Sequence, residues 1–140
     1  MNELEITTDP GRFDVAAIHR FLTTSYWSPG IPRETVERAI ANSLCFAALL
    51  DGRQVGFARM VTDKATFAYL ADVFVVEDQR GKGIARRIMD AVMSHPDLQG
   101  LRRTMLVTRD AHRLYERYGF RRVEDAGGIM AITKPDVYRK

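Results

Sequence analysis

Residues 79–85 of this 140-residue chain read Gln79-Arg80-Gly81-Lys82-Gly83-Ile84-Ala85, and glycines set among basic residues are its clearest equipment for holding an anion. Glycine adopts backbone conformations closed to other residues, so successive N–H groups can turn into one concavity. Ile84, Ala85, Ile88, Met89, Val92 and Met93 then recur at helical spacing, which predicts an amphipathic helix whose positive end favours a phosphate. Gly81 and Gly83 keep side chains out of a ligand's way, Ala85 stays small, and Arg80, Lys82, Arg86 and Arg87 add charge. The spacing is neither that of a Walker loop nor that of the dinucleotide fingerprint. On these residues alone, a phosphate cradle and a tight turn with solvated charges are equally good readings.

The elements that must hold this turn follow from periodicity. Leu4 to Thr7 reads as a strand, and Val15, Ile18 and Leu22 mark a helix from about Phe13 to Thr23. A loop, Thr24 to Gly30, leads to a second helix with Pro32 as its first residue, Val36 and Ile40 as its buried stripe, and a stop near Asn42-Ser43. Leu44 to Leu50 and Gln54 to Thr62 read as strands joined by the hairpin signal Asp51-Gly52. Asp63-Lys64-Ala65 turns the chain into a long strand, Thr66 to Val76, which runs into the glycine turn. His95-Pro96 ends the helix after the turn, and Arg103 to Val107 is a further strand. A last helix carries Ala111, Leu114, Tyr115 and Tyr118, stopped at Gly119 with Phe120 as a capping contact. Ile129 to Thr133 is expected to close the sheet. The expected fold is α+β: one three-layer domain over residues 1–140, its mixed, mostly antiparallel sheet flanked by helices.

Composition narrows the function classes. With 46% hydrophobic and 28% charged residues the chain has ordinary globular usage. The acidic opening Met1 to Glu5 is unlike a signal peptide, and no apolar run reaches a membrane span. A cytoplasmic protein without a membrane partner is expected. The single Cys45 and the scattered His19, His95 and His112 lack metal-ligand spacing, so no metal is expected, and Cys45 reads as core. Residues 80–122 carry 11 Lys/Arg against 4 Asp/Glu, while residues 1–79 carry 7 against 11. The basic stretch suits an anionic ligand, and the acidic first half tolerates a cationic one. Nucleic acid is not the expected partner, because the arginines are spread over two helices and a strand rather than gathered with stacking aromatics.

Two motifs make the reading specific. Arg80-x-x-Gly83-x-Ala85, preceded by the strand Asp72-Val73-Phe74-Val75, resembles the Gln/Arg-x-x-Gly-x-Gly/Ala signature of the GNAT superfamily of acyl-CoA N-acyltransferases. Ala111-His112-Arg113-Leu114-Tyr115-Glu116-Arg117-Tyr118-Gly119-Phe120 is similar to that family's Ala-x-x-Leu-Tyr-x-x-x-Gly-Phe element. The resemblance implies that backbone amides of Gly81, Lys82, Gly83, Ile84 and Ala85 hold the pyrophosphate of acetyl-CoA, with Arg80 as a supporting cation. It also implies that Phe74, Val75 and Val76 pair with pantetheine where their strand splays from the strand at 103–107.

The implied reaction is attack of a neutral primary amine on the thioester. An alkylammonium has a pKa near 10.4, so its proton must leave before or during attack. Asp72, which interrupts an apolar strand, is the candidate base; an acid satisfied by a basic or backbone neighbour is the equal alternative. Tyr115 matches the tyrosine that protonates the departing thiolate, with core packing as the other reading. Thr108 stands where the family often has Asn and is kept as a cofactor contact only. Tyr26 and Trp27 fall in the loop where the family builds its acceptor pocket, and there they either meet the acceptor or anchor the loop. A small-molecule amine or exposed amino group is the expected acceptor, and a silent acyl-CoA sensor is the alternative function. The oligomeric state is open, a homodimer included.

Overall fold

The computed structural model describes Glu3 to Arg139; Met1, Asn2 and Lys140, at the ends of the expected 1–140 domain, lie outside the described residues. Leu4–Thr7 forms β1, Val15–Leu22 forms α1 and Arg33–Ala41 forms α2. The meander comes next as Leu44–Leu50 (β2), Arg53–Thr62 (β3) and Phe67–Val75 (β4). Ile84–Ser94 is α3, Arg103–Leu106 is β5 and His112–Glu116 is α4. The strands lie in the order β1-β2-β3-β4-β5, antiparallel throughout except for the parallel pair β4 and β5.

Burial explains the layering. β2 is buried along its centre on both faces, as expected of a strand covered on both sides. Phe46 and Ala48 face one core with Ile88, Met89 and Val92 of α3, while Cys45, Ala47 and Leu49 face another with Ile18, Leu22, Val36 and Ile40 of α1 and α2. Two cores on one sheet make the expected three layers. At Gly56 the fit is tight: an added Cβ would lie 2.9 Å from Ile88 Cδ1 and 3.2 Å from the carbonyl of Phe74, so glycine lets α3 sit against β3.

Capping sets the helix ends. The Asp14 carboxylate accepts the N–H of Ala17 at 3.0 Å, which starts α1 two residues later than periodicity suggests. Pro32 precedes α2 rather than opening it, because its ψ of 152° is extended. α4 is shorter than its apolar stripe. Gly119, at φ 93°, turns the chain so that Phe120 N–H reaches Tyr115 C=O and Gly119 N–H reaches Glu116 C=O, and the Tyr115 and Phe120 rings meet at 6.0 Å. This double bond with its apolar contact is the Schellman arrangement.

One expected element is absent. Ile129 to Thr133 does not close the sheet: every residue from 121 to 137 is exposed, and the order ends at β5. A strand needs a partner edge for its backbone groups, and among the described residues the segment has none.

Two irregularities in β4 open the sheet beside its last strand. Phe57 pairs with Phe74 but Arg59 pairs with Ala71, so Asp72 and Val73 together oppose Ala58 in a β-bulge. Asp72 carries the left-handed conformation of the bulge, at φ 55°, a cost of roughly 1–2 kcal/mol for a residue with a Cβ. The pairing of β4 with β5 stops at Leu70 and Leu106, although β4 continues to Val75. The two strands therefore part at the bulge.

Candidate active site

A glycine turn joins β4 to α3. Gly81 and Gly83 both have φ of 80°, and Gly83 caps α3. An added Cβ at either would meet nothing within 4 Å, so the backbone conformation, not space, demands glycine. From Gly81 through Arg86 the N–H groups find no backbone acceptor among the described residues; the first bond back into the turn is Arg87 N–H to Gly83 C=O. Orphan donors of this kind at a helix start suit an anion. Arg80 donates from Nε to the carbonyl of Val75 at 3.0 Å, which fastens the turn to the end of β4. Lys82 bonds Gln79, and Arg87 reaches the carbonyl of Leu4 on β1, so Arg87 serves the fold instead of the turn.

Where β4 and β5 part, a cleft of about 580 Å³ opens between the loop after α1 and the loop before α4. Tyr26, Trp27, Arg59, Asp72, Thr108, Arg109 and Tyr115 line it, together with Tyr138 from the C-terminal segment. Its aromatic wall is continuous with the core: Phe74 stacks on Phe21 at 4.0 Å, Phe21 touches Trp27, and Trp27 meets Tyr26 edge-on at 5.0 Å. The guanidinium of Arg109 lies 3.8 Å from the centre of the Tyr26 ring, so a cation–π contact joins the two loops across the cleft.

Asp72 is fully engaged. Trp27 Nε1 donates to its Oδ1 at 2.9 Å and Arg59 Nε to its Oδ2 at 2.7 Å, and Arg59 also donates to Ser43 Oγ. Its side chain is 11% exposed and that of Arg59 20%, so the pair is largely withdrawn from water. Each carboxylate oxygen thus has a donor, as in the alternative of an acid satisfied by its neighbours. Tyr115 is the reverse case. It is buried, yet its hydroxyl has no hydrogen-bond partner among the described residues, where no side-chain polar atom is both buried and unpaired. The hydroxyl therefore opens on the cleft. Burial, then the nearby Tyr26 phenol, pushes its pKa above the ordinary tyrosine value. Thr108 Oγ1 accepts the N–H of Ala111 at 3.0 Å, in the turn that leads into α4.

A sequence model described as "Acetyltransferase (GNAT) domain" matches residues 41–122, more than half of the chain. The chain belongs to the GNAT acetyltransferase family. A crystal structure from Xanthomonas campestris pv. campestris, described as a "putative acetyltransferase belonging to the gnat family", is 49% identical, superposes with a TM-score of 0.96, and matches over 99% of this chain and 98% of its own. A "putative acetyltransferase" of Gibberella zeae is 28% identical over 91% of this chain and 85% of its own length. A "predicted acetyltransferase with acetyl-CoA" from Clostridium acetobutylicum shares the fold, at 16% identity and a TM-score of 0.69 over 95% of this chain and 96% of its own.

In this GNAT domain the residues singled out from the sequence fall into two groups. Tyr26, Trp27, Asp72, Thr108 and Tyr115 meet in the cleft, whereas Arg80, Gly81, Lys82, Gly83, Ile84 and Ala85 form the turn into α3, outside it. The end of β4 joins the two groups, and there the expectation needs correcting. Val76 N–H is spent on Val55 C=O at 2.9 Å, facing β3. Alternation turns the backbone of Phe74 to that same side, so neither Phe74 nor Val76 can pair across the open edge. Val75 and Val73 face it instead, with the Val75 carbonyl already held by Arg80. Arg59, Val73, Arg109 and Tyr138 join the site without having been expected there. An arginine amid the buried run Phe57, Ala58 and Met60 is a usable signal for Arg59; nothing local marks the other three. Among the described residues no group of three or more His, Cys, Asp or Glu could hold a metal, and no helix is long and apolar enough to cross a membrane.

Proposed function

We propose that this chain transfers the acetyl group of acetyl-CoA to a primary amine by direct attack. One observation carries the proposal: the unpaired N–H run from Gly81 to Arg86 and the unpartnered Tyr115 hydroxyl lie at the two ends of one open strand edge, β4 from Val73 to Val75. These residues fit the donor. Backbone N–H groups of Gly81 to Ala85 would hold its pyrophosphate with Arg80 alongside, and backbone groups of Val73 and Val75 would meet the pantetheine. Bound there, acetyl-CoA supplies a thioester whose carbonyl carbon is the electrophile and whose sulfur departs as a thiolate.

The chain's own groups then divide the work. Tyr115, its pKa raised by burial, keeps its proton at neutral pH and holds it at Oη, facing the point where the thiolate develops. Tyr26 and Trp27 wall the acceptor. Asp72 is a positioning residue: it holds Trp27 and Arg59 in place and leaves the amine's proton to solvent in the open cleft.

A pH profile separates that role from general base catalysis. In Asp72→Asn the ascending limb of kcat/KM should keep its midpoint and should still move when the acceptor is exchanged for an amine of different pKa. Its amplitude should fall about tenfold as Trp27 loosens. Loss of the limb would make Asp72 the base. Removing one member of the largely buried pair should also cost about 3 kcal/mol in denaturant unfolding. The proposal as a whole is tested by calorimetry with acetyl-CoA followed by amine-dependent release of free CoA. Failure to bind would overturn it.

A further inference from the structure

We propose, resting on the acetyl-transfer reading, that the acceptor is an amino acid with an apolar side chain, whose carboxylate Arg59 binds while Arg109 adds a second positive charge. The hydrogen bonds of Arg59 are the first ground. Its Nε goes to Asp72 and its Nη1 to Ser43 Oγ at 3.2 Å, whereas Nη2 has no partner among the described residues. No side-chain nitrogen or oxygen there is both buried and unpaired, so Nη2 is accessible although the side chain is only 20% exposed. Arg59 stands between the buried Ala58 and Met60 on β3 and lines the cleft, so that is where Nη2 opens. Holding Asp72 and Ser43 leaves one arm of the guanidinium fork over, and such an arm matches a carboxylate oxygen.

The charges of the cleft agree. Arg59, Asp72, Arg109 and Asp110 are the charged residues that line it. Both oxygens of Asp72 are taken by Trp27 and Arg59. Arg109 is exposed, rests on the Tyr26 ring and makes no ion pair among the described residues, and Asp110 makes none either. The cleft thus offers two guanidiniums and one unspent carboxylate. A polyamine would bring several cations to that arrangement, and the acidic residues of the first half of the chain do not help it, since Asp72 alone of those at 1–79 lines the cleft. A simple alkylamine would displace water from Arg59 Nη2 and give it no acceptor in return, which costs affinity. A zwitterion answers both signs, with its carboxylate on Arg59 and its ammonium tolerated by Asp110.

The remaining lining sets the body of the acceptor. Leu22, Ile31, Val36 and Ile40 reach the cleft beside the Tyr26 and Trp27 rings, which suits an apolar side chain and leaves a second polar group without a partner. In the transfer the amino nitrogen bonds the thioester carbon and displaces the sulfur, which takes its proton from Tyr115. The ammonium gives up two protons in all: one restores Tyr115 through solvent and the other stays in solvent. The acceptor's carboxylate takes no part in these steps, so Arg59 and Arg109 act on which amine is chosen.

Leucine, methionine and phenylalanine, each beside its amide and its decarboxylated amine, test the choice, with kcat/KM expressed per neutral amine so that basicity cancels. At least one of the three acids should exceed both of its uncharged counterparts by about thirtyfold. Arg59→Lys keeps a cation for Asp72 but loses the fork, and should cut that ratio to about threefold; Arg109→Gln should cut it about threefold. Damage to the fold alone lowers acid, amide and amine alike and leaves the ratio standing. Calorimetry with the N-acetyl forms of the same acids and amides reads the preference without any transfer, and the acid should bind about thirtyfold tighter. Absence of CoA release from every amine, with that binding preference present, would sink the transfer reading and leave the carboxylate site in place. Ratios near one, ratios unmoved by both arginine variants, or N-acetyl acids that bind no better than their amides would overturn the proposal.

Discussion

Replacing Tyr115 with phenylalanine should lower kcat about a hundredfold, some 2.7 kcal/mol of transition-state stabilisation, and leave the dissociation constant for acetyl-CoA within about twofold. The substitution removes only an oxygen. That oxygen makes no hydrogen bond within the described chain, while the ring stays against Phe120 and in the core beside α3. Unfolding stability should therefore shift by less than about 0.5 kcal/mol, which separates lost chemistry from lost structure. The pH dependence carries a second signature. Burial disfavours the phenolate, so the folded enzyme keeps the Tyr115 proton beyond the usual tyrosine pKa. The descending limb of kcat should lie above about pH 10 and vanish in the phenylalanine variant. An unchanged kcat would return Tyr115 to the packing role that its place on the apolar stripe also allows.

Gly83→Val should weaken acetyl-CoA binding about thirtyfold, roughly 2 kcal/mol, with the fold retained. Nothing lies within 4 Å of an added Cβ there, so no steric clash is expected. The effect comes from φ of 80°, a conformation that costs an L-residue about 1–2 kcal/mol and a branched one more. Valine would pull the turn towards negative φ and re-aim the N–H groups that cap α3. Because those groups bond no backbone carbonyl among the described residues, their loss should appear in the ligand's affinity more than in the melting temperature. An unchanged affinity would place the pyrophosphate elsewhere.

Features that rest on local chemistry are legible in the sequence. Gly81 and Gly83 sit where positive φ is required, and Gly119 with Phe120 closes α4 as the apolar stripe and glycine stop suggest. The illegible features depend on pairing between distant residues. Asp72 reads equally as a base or as an acid satisfied by a neighbour, and only the fold brings Arg59 and Trp27 to it, respectively 13 and 45 residues away. The bulge hides for a related reason: its left-handed position is held by Asp rather than Gly, with the carboxylate contacts offsetting the strain. A bulge and a ladder end decide which backbone groups reach an edge, so Phe74 and Val76 read as edge residues although their groups face β3. Ile129 to Thr133 reads as a strand from composition, but composition carries no information about whether a sheet edge stands beside it.

If acetyl-CoA and an amine react in the cleft where β4 and β5 part, the acetyl group must be recoverable on the acceptor. The most direct measurement incubates acetyl-CoA labelled in its acetyl carbons with a panel of small amines and amino-terminal peptides, and quantifies free CoA and acetylated product together. At least one acceptor should gain the labelled acetyl group as an N-acetyl amide, in equal amount to the CoA released, and Tyr115→Phe should slow both together. Tight binding of acetyl-CoA without CoA release across the panel, or CoA release without an N-acetyl product, would show that the cleft does not carry out this transfer.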